Sequence, residues 1–193
     1  MQQVSFLEGL ITSKAVMRKV LLLLLLTIAG YSGYSQEEVN NEGRTSFYAE
    51  AGGAGIAFSA NIDYRFKPGH LGFGGRLGVG FVTAYNDYYD PMGSYVWGDQ
   101  ESAITVPVQL NYIFGKQNSP HTFEVGGGLT YVSKKLSILN YYDEDRSNLF
   151  GTFSFMYRRQ PRNGGFTWRA GFTPLIAKGL IQPFGGASVG FNF

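Results

Sequence analysis

From Thr45 onward apolar and polar residues alternate with a period of two, the spacing of a strand whose two faces meet different surroundings. Phe58, Ala60, Ile62, Tyr64 and Phe66 alternate with Ser59, Asn61, Asp63 and Arg65. Val106, Val108, Leu110, Tyr112 and Phe114 face away from Thr105, Gln109 and Asn111, and Phe123, Val125, Leu129 and Tyr131 from Thr122, Glu124 and Thr130. Phe166, Trp168, Ala170 and Phe172 oppose Thr167, Arg169 and Thr173, while Ala187, Val189, Phe191 and Phe193 oppose Ser188, Gly190 and Asn192. Thr45 to Gly52, Leu71 to Val82 and Leu149 to Arg159 obey the same rule. Eight strands of about ten residues are predicted, the length a tilted strand needs to cross a bilayer core.

The links between them alternate as well. Residues 65–70, 115–120 and 160–165 are short and rich in Gly, Pro and Asn. Thr83 to Ser102 and Ser133 to Asn148 are long, acidic and Tyr-rich; a shorter link runs from Leu175 to Pro183, and Gly52-Gly53-Ala54-Gly55 closes the first hairpin tightly. Outer-membrane barrels have this rhythm, with short periplasmic turns and longer outer loops. The fold class expected is therefore all-β: an eight-stranded antiparallel up-and-down transmembrane β-barrel over 45–193, with both mature termini periplasmic. A soluble barrel also alternates, but with its apolar face inward. Aromatic placement separates the two. Phe47, Tyr64 or Phe66, Phe73, Tyr112 or Phe114, Phe123, Tyr157, Phe166 and Phe193 lie on the apolar face at the expected periplasmic strand ends, where amphipathic rings form an interfacial girdle.

The polar face carries Glu50, Asp63 and Glu124 with Arg65, Arg76, Arg158 and Arg169. Charges inside a narrow barrel must be paired, or desolvation costs several kcal/mol per ion; an interior ion-pair network of these seven residues is expected. Glycines at 72, 74, 78, 80, 126 and 128 on the same face leave room for long Arg side chains. An eight-stranded interior is just wide enough for side chains to fill it, which predicts a plugged lumen; a gated ion path through rearranging Glu–Arg pairs is the sharper alternative. Pro107 and Pro174 fit poorly inside a paired strand and are expected near the outer rim, at bulges.

Before the alternating region, Arg18 and Lys19 precede the apolar run Val20 to Ala29, followed by the small-residue pattern Gly33-Tyr34-Ser35. These are the parts of a secretory signal peptide. Residues 1–35 are read as that signal, cleaved after Ser35, with an over-long gene start before Met17; 36–44 is read as a periplasmic segment. The run is too short for a spanning helix. Its removal makes acidic and basic residues equal in number, so the formal charge of +2 supports no nucleic-acid reading. Charged residues are only 16% and glycines number 27, a composition hostile to helical folds. The absence of cysteine excludes disulfides, thiolate metal sites and a lipid-anchored N-terminus.

Phe47-Tyr48-Ala49-Glu50-Ala51-Gly52-Gly53, Val106-Pro107-Val108-Gln109-Leu110-Asn111-Tyr112, Phe123-Glu124-Val125-Gly126-Gly127-Gly128, Arg169-Ala170-Gly171-Phe172-Thr173-Pro174 and the closing Ser188-Val189-Gly190-Phe191-Asn192-Phe193 resemble segments of small bacterial outer-membrane barrels. Over about 44–193 the chain is similar to the OmpA/OmpX type, and closest to the outer membrane protein beta-barrel domain family. The resemblance implies that Phe191 and Phe193 form the signal read by the barrel-assembly machinery, and that outer-membrane lipid and lipopolysaccharide surround the barrel. It implies no activity.

Little chemistry is visible. His70 and His121 are the chain's two histidines, both in or beside short turns; a lipid A-modifying enzyme of the deacylase type needs a His with a Ser and an acid at the outer rim. No glycine cluster has a phosphate-cradling spacing. Residues 143–148 lack the sixth-position glycine and distal Glu of a calcium loop. No catalytic residue, cofactor, metal or nucleic-acid partner is expected. Lys134, Lys135 and Lys178 are placed near outer phosphates. Two readings remain: a structural envelope protein, or a surface binder and adhesin using Tyr85, Tyr88, Tyr89, Tyr95, Trp97, Tyr141 and Tyr142 on loops 83–102 and 133–148, since Tyr and Trp give large contact area at low entropic cost. Catalysis on lipid A is a distant third. The external partner is unknown.

Overall fold

The computed structural model describes residues 43–193 except 86 and 142–144. The proposed signal peptide and nearly all of the segment after it, Tyr142, and Asp143-Glu144 lie outside the described residues. Eight strands form the wall: β1 (Thr45–Gly52), β2 (Phe58–Arg65), β3 (Gly72–Tyr85), β4 (Gln100–Gly115), β5 (His121–Val132), β6 (Leu149–Arg159), β7 (Gly165–Phe172) and β8 (Gly185–Asn192). Each pairs antiparallel with its sequence neighbour, and β1 pairs with β8 to close the ring. Thr45 and Phe193 exchange backbone hydrogen bonds of 2.8 and 3.3 Å at one end, here the base; the opposite end carries the long connections. Closure leaves no sheet edge and pairs the wall's backbone groups within the protein.

Alternation along the strands divides the two faces as the residues demand. Phe47, Ile62, Phe73, Leu77, Val79, Leu110, Phe153 and Val189 are exposed on the outside, whereas the seven interior charged residues are each at most 3% exposed. On β3 the apolar outer face spans about 20 Å of height from Phe73 to Phe81, and about 30 Å if Tyr85 is included, for a tilt near 40°. These values bracket the roughly 25 Å apolar band of a bilayer-spanning barrel. Around the base, rings pack on one another: Phe73–Tyr112 at 4.7 Å, Phe114–Phe123 at 5.9 Å, Phe123–Tyr157 at 5.7 Å and Tyr157–Trp168 at 5.2 Å.

Four details depart from the sequence expectation. First, 175–183 is no link. Leu175–Ala177 continues β7 against β6 in unchanged register, and Leu180–Gln182 continues toward β8. Lys178 and Gly179 turn the chain at positive φ, as a two-residue hairpin requires. The register sets Pro174 opposite Pro183, and two residues without N–H facing each other interrupt both strands. Second, Pro107 sits buried inside β4, opposite Thr130, without a bulge. The ladder to β3 lapses beside it at Gly78–Val79, and the register is the same on both sides; a missing hydrogen bond is absorbed without inserting a residue. Third, β3 and β4 run past Thr83 and Ser102, whose hydroxyls bond at 2.9 Å, to Tyr85 and Gln100. Above the apolar band both faces can be polar, so alternation stops while pairing continues. Fourth, of the six glycines expected to make room for arginines only Gly74 has one among its nearest atoms, since a Cβ there would overlap the Arg65 guanidinium; Gly72 faces open space, and Gly78, Gly80, Gly126 and Gly128 clear Asn61, Ser59, Ser154 and Gln109.

Candidate functional site

The interior is built in three layers. Nearest the base, the seven charged side chains form one chain of alternating sign across the lumen. Arg65 donates to Asp63, and Asp63 accepts from Arg158 at 2.6 Å. Arg158 also donates to Glu124 at 2.9 Å, Glu124 accepts from Arg169 at 2.9 and 3.1 Å, and Arg169 donates to Glu50 at 3.1 Å. Glu50 finally accepts from Arg76. The series Arg65–Asp63–Arg158–Glu124–Arg169–Glu50–Arg76 thereby ties β1, β2 and β3 to β5, β6 and β7 on the far wall. Polar neighbours complete the shell: Arg76 donates to Asn61 and Gln109 at 3.1 and 3.2 Å, Arg158 to Ser46 at 2.7 Å and Arg169 to Ser188 at 2.9 Å. The Tyr48 ring lies under the Arg169 guanidinium at 3.9 Å and near that of Arg76 at 5.4 Å, a cation–π seat.

The second layer is the β1–β2 turn. Gly53–Gly55 forms a 3₁₀ turn that folds into the barrel, where Thr105 and Thr130 of the opposite wall donate to the Gly55 and Ala54 carbonyls at 3.0 and 2.7 Å. Gly53 holds φ 64° against the Glu50 carboxylate, and a Cβ there would collide with it. The turn is tight, as its glycines predict, but it points into the lumen. The third layer is apolar: Val82, Ala103, Val132, Phe150, Leu175 and Ala177 from the wall and Ile56 from the β1–β2 turn, closed by Leu136, Ile138 and Tyr141 from the loop after β5. Three stacked layers fill the bore.

Sequence reasoning missed the apolar layer, although its signal is present. Val82, Ala103, Val132 and Phe150 occupy the otherwise polar register at the loop ends of their strands. Tyr141 is a correction to the binding surface: it is 1% exposed, packs on Phe150 at 5.2 Å, and donates to the Leu175 and Leu180 carbonyls at 2.9 and 3.1 Å. Burial raises its phenol pKa. It seals the loop end and offers nothing to a partner.

Tyr85, Tyr88, Tyr89, Tyr95 and Trp97 are exposed. Tyr88–Tyr89 pairs with Tyr95–Val96 in a small ribbon, and Tyr85–Trp97, Trp97–Tyr95 and Tyr95–Tyr89 meet edge to face at 6.3, 5.3 and 5.5 Å. Asp87 holds the ribbon, accepting from the Tyr95 hydroxyl at 2.5 Å and from the Gly98 N–H at 3.0 Å. Lys134 is paired with Glu101 at 2.8 Å and stays half-exposed. Phe191 and Phe193 face outward at the base, rings 5.3 Å apart. His70 and His121 both lie at the base. Among the described residues no group of three His, Cys, Asp or Glu could hold a metal ion.

A closed eight-stranded up-and-down barrel, with its charges sealed inside and an apolar, aromatic-edged belt outside, defines the class of small membrane-spanning β-barrels. No family model and no curated protein matches the sequence. Among solved structures, the chain is similar to the N-terminal β-barrel domain of Pseudomonas aeruginosa OprF, with 14% identity over 78% of this chain and 96% of that chain and a TM-score of 0.49.

Proposed function

We propose that this chain is an integral outer-membrane protein that contributes to envelope structure and forms no steady pore, with the base of its barrel in the periplasm. The observation that carries the reading is the inverted polarity combined with a filled bore: apolar residues outside, an ion-pair chain inside, and a glycine turn and an apolar layer above it. The short turns at the base and the long connections opposite support the orientation. Phe191 and Phe193, at the end of the closing strand, suit recognition by the barrel-assembly machinery.

The test is membrane fractionation with heat-modifiable gel mobility, joined to planar-bilayer recording. Expected are a detergent-dependent, membrane-bound species with a heat-sensitive compact form and no steady conductance. A freely dissolved monomer would defeat the membrane assignment, and a stable open channel would defeat the filled-bore reading.

The ladder of four exposed rings favours a second reading, a surface binder. Deleting 87–101 and finding loss of a cell-surface partner with an intact envelope would select it. Catalysis on lipid A draws no support from the positions of His70 and His121, at the end remote from the outer rim.

A further inference from the structure

The outward face of the wall is almost free of charge. Among the described residues of the eight strands, Arg159 is the one permanently charged side chain that alternation places on that face. It stands near the end of β6, at the base, beside the aromatic belt. Register puts it between His121 of β5 and Trp168 of β7, all three facing outward. The Tyr157 hydroxyl bonds the His121 imidazole, and the Tyr157 ring packs on Trp168. No acid is seen in an ion pair with Arg159 among the described residues, and the outward faces of β5, β6 and β7 carry no Asp or Glu. A cation held at the edge of hydrocarbon without a protein counter-ion is costly, and its position calls for an anion from the surrounding layer.

A second feature on the same two strands points to the rest of that ligand. A shallow outward groove of about 290 Å³, open to the surroundings, lies over Val125 and Gly127 between Leu110 and Tyr112 on one side and Phe153 and Phe155 on the other. It exists because Gly127 presents no side chain where its neighbours on the outward face are large. A Cβ at Gly127 would make ordinary contact with Phe153, so the backbone does not require glycine there. Along β5 the groove lies roughly 14 to 20 Å of strand above His121, at 3.4 Å per residue. A diacyl lipid with its phosphate at the base of the wall reaches that far with its chain.

We infer that Arg159, His121, Tyr157 and Trp168 together with the groove over Gly127 form a binding site for one anionic phospholipid of the inner leaflet, phosphate at the cation and acyl chain in the groove. This rests on the membrane reading above. The guanidinium supplies the fixed charge and a planar donor fork, the imidazole a further polar contact, and Trp168 and Tyr157 the amphipathic collar at glycerol level.

The test uses the whole barrel, folded into phosphatidylcholine vesicles containing phosphatidylglycerol, then extracted in mild detergent for native mass spectrometry. The expected result is one retained phosphatidylglycerol, held at least tenfold more tightly than phosphatidylcholine. Arg159→Gln should reduce that preference about tenfold, and Gly127→Leu should weaken retention of both lipids by filling the groove. Lys134→Ala, at the far end, should change neither. Failure of the wild-type barrel to enter vesicles overturns the membrane reading itself. Entry with no phosphatidylglycerol preference, a preference indifferent to Arg159→Gln, or retention indifferent to Gly127→Leu overturns the lipid site alone. Full displacement by inorganic phosphate would overturn it too, by leaving the groove no part.

Discussion

Replacing Glu124 by Gln probes the layer on which the barrel's interior depends. Glu124 accepts four hydrogen bonds, one from Arg158 at 2.9 Å, two from Arg169 at 2.9 and 3.1 Å and a long one from Asn111 at 3.5 Å, in a place where its side chain has no solvent exposure. Hydrogen bonds to charged groups are worth about 1.5–3 kcal/mol each. An amide keeps one acceptor oxygen and brings an NH₂ against the guanidinium ions. Arg158 retains Asp63 and Arg169 retains Glu50, so neither arginine is stranded. The interior nevertheless passes from four arginines against three carboxylates to four against two. Breaking a buried pair by removing one partner costs about 3–5 kcal/mol; the retained carboxylates place Glu124→Gln near 3 kcal/mol. Urea unfolding in lipid vesicles, followed by Trp fluorescence from Trp168 and Trp97, measures the loss. Adding Arg169→Gln should restore part of it, because three arginines against two carboxylates return the interior to the wild-type excess of one positive charge, with one fewer ion to desolvate. A loss below about 1 kcal/mol for Glu124→Gln would refute the reasoning, since it would mean that water reaches the network and screens it as at a surface.

Other substitutions separate the layers. Tyr48→Phe should leave stability unchanged or raise it by up to about 1 kcal/mol: its hydroxyl has no hydrogen-bond partner among the described residues, and the ring that seats Arg169 remains. Tyr48→Leu, read by the same urea titration, should be destabilising. Gly53→Val should cost at least about 2 kcal/mol and admit small permeants in a vesicle-leakage assay, because positive φ and the Glu50 carboxylate both oppose a side chain there. Tyr141→Phe should cost about 1 kcal/mol and speed proteolysis of the loop after β5, since two carbonyls lose their donor. His70, buried in the β2–β3 turn near Arg162 and Arg158, has a pKa lowered from 6.5, mainly by desolvation and then by those arginines. The folded state therefore takes up its proton later than the unfolded state. Its contribution is full above about pH 6.5 and is lost as pH falls through the depressed folded value. The difference in unfolding midpoint between wild type and His70→Asn should change across that interval and stay constant above it.

How much of this was legible in the sequence depended on which residues had only one physical solution. Asp63 and Arg65 alternate with Ile62, Tyr64 and Phe66, and a charge cannot share a face with those neighbours in a closed barrel. Strand existence and facing followed at once. Pairing among the seven charges was expected from cost alone, but the order of the chain was not, because strand stagger decides which arginine reaches which acid. The Gly52–Gly55 turn was read as tight, yet no local signal distinguishes a turn that projects outward from one that folds inward. That choice is made by Thr105 and Thr130, some 50 and 76 positions away. Pro174 and Pro183 looked like the borders of a loop because each breaks a strand; their mutual alignment, which lets one interruption serve both, exists only in the register. Tyr141 was assigned to the surface with the other loop tyrosines, although Leu136, Ile138 and Tyr141 together repeat an apolar theme that needs a core.

The position of the layers bears on what the molecule can do. An ion-pair chain open to the lumen from both sides could exchange partners and pass ions, because Arg158 and Arg169 each bridge two acids. Here the loop-side approach is covered twice, first by backbone carbonyls held by Thr105 and Thr130 and then by a dry cluster in which Phe150 and Leu175 are fully buried. A partner exchange in the network would leave those covers in place. Opening a path requires withdrawing Gly53–Gly55 from the bore, which breaks two hydrogen bonds and exposes Ala54 and Ile56, and also displacing Leu136 and Tyr141. Those events lie on separate loops, so rearranging a single salt bridge should not open this barrel. Rearranging Glu50–Arg76 by substitution should alter stability while leaving bilayer conductance at baseline, and a channel appearing on disruption of that one pair would show that the upper layers are not barriers at all.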